Sequence, residues 1–107
     1  MTARWLLINT AAAQDLAFGH LSTIGCKLLL RSYECALGEI HMIGKHEGNL
    51  VFIEVCVEDE KISNERGLEL VKAARYYMKR YGIKDVPWRL VKVSVWPDKI
   101  TVDNFGG

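Results

Sequence analysis

The amino-acid sequence predicts an α/β fold with elements in the order αβββαββ and a mixed sheet flanked by helices. Two segments carry apolar residues at helical spacing and are closed by Gly25 and Gly82. Five shorter segments are rich in aliphatic and β-branched residues and are parted by turn formers. The second helical segment lies between the third and fourth strands, so a crossover can set those strands parallel while the earlier ones form an antiparallel meander.

Taken in order, the first helix is expected over residues 10–24. Thr10 stands as its N-cap, and Ala13, Leu16, Ala17, Leu21 and Ile24 recur along one side. Strands follow at Lys27 to Tyr33, Glu39 to Ile43 and Leu50 to Val57, separated by Gly38 and by the polar run 45–49. Ser63 and Asn64 offer caps for the second helix, whose stripe is Leu68, Val71, Ala74, Met78 and Tyr81. Pro87 opens a fourth strand ending at Trp96, and Pro97-Asp98 turns the chain into a fifth, from Lys99 to Asn104.

The 107 residues, half of them apolar, suffice for one domain with its own core, expected over 10–107 behind an N-terminal extension at 1–9. A formal charge of +1 excludes a polyanion binder driven by global charge and shifts any nucleic-acid argument to local charge. Three cysteines, Cys26, Cys35 and Cys56, have no CxxC spacing and cannot pair off completely, which points to a reducing cytoplasm. Asn9 and Thr10 interrupt the apolar run of Trp5 to Ile8, so neither an export signal nor a membrane partner is expected.

Chemistry concentrates on the second and third strands. Alternation puts Glu39 and His41 on one face, and Glu54 and Cys56 on one face. A hairpin symmetric about the 47/48 bond sets His41 opposite Glu54 and Glu39 opposite Cys56. Glu54 sits inside Val51-Phe52-Ile53-Glu54-Val55-Cys56-Val57, where a carboxylate is costly unless it is paired or opens onto a cleft. Three readings stand: a structural contact of Glu54 with His41 or a nearby Arg, a zinc site of His41, Glu54 and Cys56, and a Cys56–His41 nucleophile–base pair. Nothing in the sequence would depress the Cys56 thiol.

The segments Gly25 to Cys35, Gly38-Glu39-Ile40-His41 and Leu50 to Cys56, with the ending Ile100 to Phe105, carry a resemblance. Over about Ala13 to Phe105 the chain resembles the YraN-type family of small endonuclease-like proteins, relatives of Holliday-junction resolvases and restriction enzymes. The resemblance implies a restriction-endonuclease-like three-layer fold and a divalent-metal phosphodiesterase site. It also implies that the catalytic positions here are Gln14, Glu39, His41, Glu54 and Cys56, most of them substituted. The family's helical Glu falls on Gln14, its metal-ligating Asp on His41, its catalytic Lys on Cys56 and a later basic residue on Glu58, while Glu54 and Glu39 match.

These exchanges oppose catalysis. Mg²⁺ prefers hard oxygen ligands, so an imidazole in place of a carboxylate removes charge and a favoured donor. A neutral thiol cannot orient water or stabilise phosphate charge as an ammonium does. The expected protein is therefore a pseudo-nuclease with no cofactor, with Mg²⁺, Mn²⁺ or Zn²⁺ on His41 and Glu54 as the alternative of a remodelled metal-dependent endonuclease.

Local charge supplies the binding surface. Between Lys72 and Lys92 stand seven basic residues (Lys72, Arg75, Lys79, Arg80, Lys84, Arg89, Lys92) against Asp85 alone. Lys72, Arg75 and Lys79 share a helical face, with Tyr76 and Tyr77 nearby, a stripe able to follow a phosphate backbone. The acids Glu54, Glu58, Asp59, Glu60, Glu65 and Glu69 instead surround the substituted site and repel a scissile phosphate in the absence of a metal. The leading expectation is DNA binding through Lys72, Arg75, Lys79 and Arg80. A protein-interaction role, as a homodimer or on a nuclease partner, is the alternative without nucleic acid.

Overall fold

Glycine decides where both helices end, and a short polar cap decides where the second begins. The computed structural model describes residues 10–106, and the extension expected at 1–9 lies outside the described residues. Helix α1 spans Thr10–Thr23; the Thr10 side chain, expected as its cap, also lies outside the described set. At its other end Gly25 adopts φ +87°. The Cys26 amide there donates to the Leu21 carbonyl (2.9 Å) and the Gly25 amide to that of Ser22 (3.2 Å). That double bond is the Schellman closure that glycine permits. Helix α2 spans Asn64–Arg80. It ends the same way, with the Ile83 amide on the Met78 carbonyl (2.8 Å) and Gly82 at φ +63°.

The strands are β1 (Lys27–Cys35), β2 (Gly38–His46), β3 (Asn49–Val57), β4 (Trp88–Val95) and β5 (Ile100–Gly106). They form one five-stranded sheet in chain order, antiparallel throughout except for the parallel pair β3–β4 that α2 connects. The mixed sheet is thus the expected one. The β2–β3 hairpin turns at Glu47 and Gly48, both at positive φ, and pairs His46 with Asn49 through Met42 with Ile53. This two-residue turn matches strand twist and fixes the symmetric register about the 47/48 bond.

Helices cover opposite faces of the sheet. Ala13, Ala17 and Leu21 of α1 pack on Val51, Ile53 and Val55 of β3 and Val91, Val93 and Val95 of β4. Leu70, Ala73 and Ala74 of α2 pack on Ile40, Ile43, Leu50, Phe52 and Leu90. The alanines let each helix axis approach the sheet closely. The result is a three-layer α/β arrangement, as the resemblance implied, with β3 covered on both sides. No helix among the described residues is long and apolar enough to cross a membrane.

Candidate functional site

Strand β3 decides which side Glu54 faces. Its odd residues point toward α1, and Leu50 and Phe52 point toward α2, so Glu54 is delivered to the α2 side. There the first turn of α2 presents Arg66. Ser63 caps that turn by accepting a hydrogen bond from the Arg66 amide (3.1 Å), which fixes the arginine's backbone.

The Arg66 guanidinium is fully engaged. Its Nε donates to Glu54 Oε2 and its Nη2 to Glu54 Oε1, both at 2.9 Å, a bidentate ion pair. Nη1 donates to Glu69, and Nη2 also donates to the Glu39 carbonyl at 2.6 Å. The Glu54 side chain retains 11% exposure and that of Arg66 22%. Glu54 raises the Arg66 pKa further by hydrogen bonding, so this cation keeps its proton. The structural reading of Glu54, paired with a nearby Arg, is the one the geometry realises.

His41 departs from simple strand pairing. The described β2–β3 ladder stops at Met42 with Ile53, and the next β3 amide, that of Val55, donates to His41 Nδ1 at 2.9 Å. An imidazole nitrogen thus replaces a backbone carbonyl. Met42, paired with Ile53, faces α1, whereas Ile40 and Ile43 both face α2, so strict alternation breaks between Ile40 and Met42. The expected opposition of His41 with Glu54 survives as a contact, Nδ1 to Oε1 at 3.3 Å, and His41 Nε2 lies 3.8 Å from Glu39 Oε1. The expected ladder pairing of Glu39 with Cys56 is absent, because β2 has left β3 before reaching it.

Cys56 lines the same cleft, of about 890 Å³, together with Gln14, Glu39, His41 and Glu54. Burial first, then the Glu54 and Glu60 carboxylates, push its thiol up to about 11. A thiol held protonated at neutral pH is a poor nucleophile, so the geometry does not supply a Cys56–His41 pair. Gln14 is tied sideways: Arg31 of β1 donates to its Oε1 (3.3 Å), to Asp15 (2.5 Å) and to the Ala11 carbonyl (3.1 Å). Glu58 follows β3 at φ +52° on the rim.

This donor set does not fit a magnesium ion. Both Glu54 oxygens accept from Arg66, and His41 Nδ1 accepts from an amide. Among the described residues no three His, Cys, Asp or Glu side chains gather where a metal could be held. A guanidinium stands against the carboxylate that a divalent cation would need.

The basic surface lies further along α2. Lys72, Arg75, Lys79 and Arg80 are exposed, and none makes an ion pair with another described residue. Arg89 does not belong to this surface: it faces the opposite layer and reaches His46 Nδ1 (3.3 Å) and Asn104 (3.4 Å). Tyr77 also turns inward, edge-on to Phe52 at 6.0 Å. Sequence reasoning missed Arg66 as the partner; its position three residues after the Ser63 cap was the available signal.

Comparison with known proteins adds a family. The model of the uncharacterised protein family UPF0102 matches residues 13–95. UPF0102 proteins of Neisseria meningitidis serogroup C and Neisseria gonorrhoeae are each 34% identical to this chain over 92 residues, covering 78% of it and 80% of their own length. A UPF0102 protein of Legionella pneumophila strain Paris is likewise 34% identical over 92 residues, with 78% of each chain covered.

Proposed function

This chain belongs to the uncharacterised protein family UPF0102, and for it we propose a non-catalytic nuclease-fold module that binds DNA through the basic face of α2. The observation that carries the loss of catalysis is the bidentate Arg66–Glu54 pair. A fixed internal cation neutralises the retained carboxylate, and it can neither exchange ligands nor lower the pKa of a bound water as a metal does. The substitutions at His41 and Cys56 point the same way. Binding is supported by Lys72, Arg75, Lys79 and Arg80 along one helix, all exposed and without an ion pair to another described residue. Lysine and arginine that contact a phosphate backbone release its counterions, and those without an internal partner do so without first breaking an ion pair.

The deciding experiment is fluorescence anisotropy on duplex, single-stranded and four-way-junction DNA over a salt series, beside a cleavage assay with Mg²⁺, Mn²⁺ or Zn²⁺. Binding without cleavage is expected, with affinity falling steeply as salt rises, and with loss of binding in the Lys72→Glu/Arg75→Glu/Lys79→Glu variant. Cleavage abolished by Glu54→Ala or His41→Ala would overturn the non-catalytic reading. Binding unchanged in the triple variant would overturn the assignment to α2.

A further inference from the structure

The chain contains four tyrosines, Tyr33, Tyr76, Tyr77 and Tyr81, and the fold packs three of them, Tyr33, Tyr77 and Tyr81, against one another in series. Tyr33 comes from β1 and the other three from the C-terminal half of α2 and its cap. Tyr77 is the anchor: it packs edge-on to Tyr33 (centroids 5.2 Å apart) and to Phe52 (6.0 Å), which is itself edge-on to Trp88 at 5.9 Å. Tyr81 then lies tilted against Tyr77 at 4.9 Å, yet remains 62% exposed. Tyr76, 40% exposed, is the residue before Tyr77 on α2.

Tyr81 thus rests on one side against a partly buried ring packed on the core and is open on the other. Its surroundings are cationic: Lys79, Arg80 and Lys84 are exposed within three residues of it, and Asp85 is the nearest acid in sequence. An aromatic face that is open and already immobilised, beside unpaired cations, suits a nucleobase stacked on the ring with its phosphates on the lysines and arginine. A paired base keeps both faces stacked inside the duplex and cannot use such a ring.

We infer that the C-terminal end of α2 is a capture site for unpaired bases of a single-stranded nucleic acid, with Tyr81 as the stacking platform and Lys79, Arg80 and Lys84 as its phosphate contacts. This rests on the DNA-binding reading and narrows it to DNA with unpaired segments.

The test compares a blunt duplex with the same duplex bearing a short single-stranded tail that contains 2-aminopurine, for the unaltered protein, Tyr81→Ala, Tyr81→Phe and Tyr76→Ala. Tyr81→Ala is expected to weaken binding of the tailed DNA about tenfold, within the range for one base–aromatic stack, and to leave the blunt duplex unchanged. Tyr81→Phe keeps the ring and should bind as the unaltered protein does, with the 2-aminopurine emission quenched in both. Tyr76→Ala should give a smaller loss on the tailed DNA, and circular dichroism checks that each variant is folded. Equal affinity of Tyr81→Ala and unaltered protein for the tail would overturn the inference while duplex binding kept the wider reading intact. Absence of binding to either DNA by the unaltered protein would overturn both. Self-association lost in Tyr81→Ala, without any effect of the tail, would assign the cluster to a protein surface and overturn the inference.

Discussion

Helix α2 carries arginine at both ends and uses it in opposite ways. Near the N-terminus every nitrogen of Arg66 has a partner, in Glu54, Glu69 and the Glu39 carbonyl. At the C-terminus Arg80 is exposed and forms no ion pair with a described residue. The helix dipole favours cations at the second end and disfavours them at the first. An arginine in the first turn therefore needs carboxylates that outweigh the dipole, and Glu54 and Glu69 pair with it directly. Position in the fold, and not residue type, separates a structural cation from one available to a ligand.

The sharpest way to break this comparison is to remove Arg66. Arg66→Ala strands a nearly buried carboxylate, and loss of one partner from such a pair should lower stability by about 2–4 kcal/mol in urea unfolding, allowing for the remaining exposure of the pair. The double change Glu54→Leu/Arg66→Met should recover most of that loss, since it leaves no orphaned charge. A loss under about 0.5 kcal/mol in the single variant would show that the pair is a loose surface contact.

A second expectation concerns pH at the same end of the helix. The Cys56 thiol is raised from its ordinary 9.0 to about 11, so the folded state binds this proton more tightly than the unfolded chain. Its contribution is fully present below pH 9 and is lost as pH rises from 9 through 11. Urea midpoints measured in reductant should fall over that window, and Cys56→Ser or Cys56→Ala should flatten the decline. An unchanged slope would contradict the burial argument.

Smaller effects sharpen the contrast. Ser63→Ala removes the cap that seats Arg66 and should cost about 1 kcal/mol, with part of that loss vanishing in an Arg66→Ala background because the two are coupled. Arg80→Ala should change stability by less than about 0.5 kcal/mol, as expected for an unpaired surface residue, while weakening DNA binding and its salt dependence. If Arg80→Ala destabilised the fold as strongly as Arg66→Ala, the distinction between the two ends would be lost.

Much of the architecture was legible because its determinants are local. Gly25 and Gly82 close the helices through left-handed residues, Glu47-Gly48 sets the hairpin register, and Ser63 caps α2. Glu54 was conspicuous as a single carboxylate in an apolar strand. The misread details share one cause. Strict alternation carried Glu39 and His41 onto a continued ladder, but the His41 side chain takes the Val55 amide and ends that ladder. The basic run 72–92 is continuous in sequence but not in space, since Arg89 reaches His46 and Asn104 and not the helix stripe of Lys72, Arg75, Lys79 and Arg80.

By itself, then, the sequence determined the order of elements, the glycine closures of the helices, the hairpin register and the suspicion attached to Glu54, all of which depend on backbone dihedrals and periodicities spanning a few residues, whereas the expected second strand, Glu39 to Ile43, runs on to His46 in the fold. Tertiary structure alone decided that Arg66, out of fourteen lysines and arginines, meets Glu54, and that Tyr33 of β1 meets Tyr77 of α2. Those outcomes depend on how the α2 crossover lies across the sheet. A pairing between distant elements is selected by that placement and by the cost of leaving a buried charge unpaired, neither of which can be read from spacing along the chain.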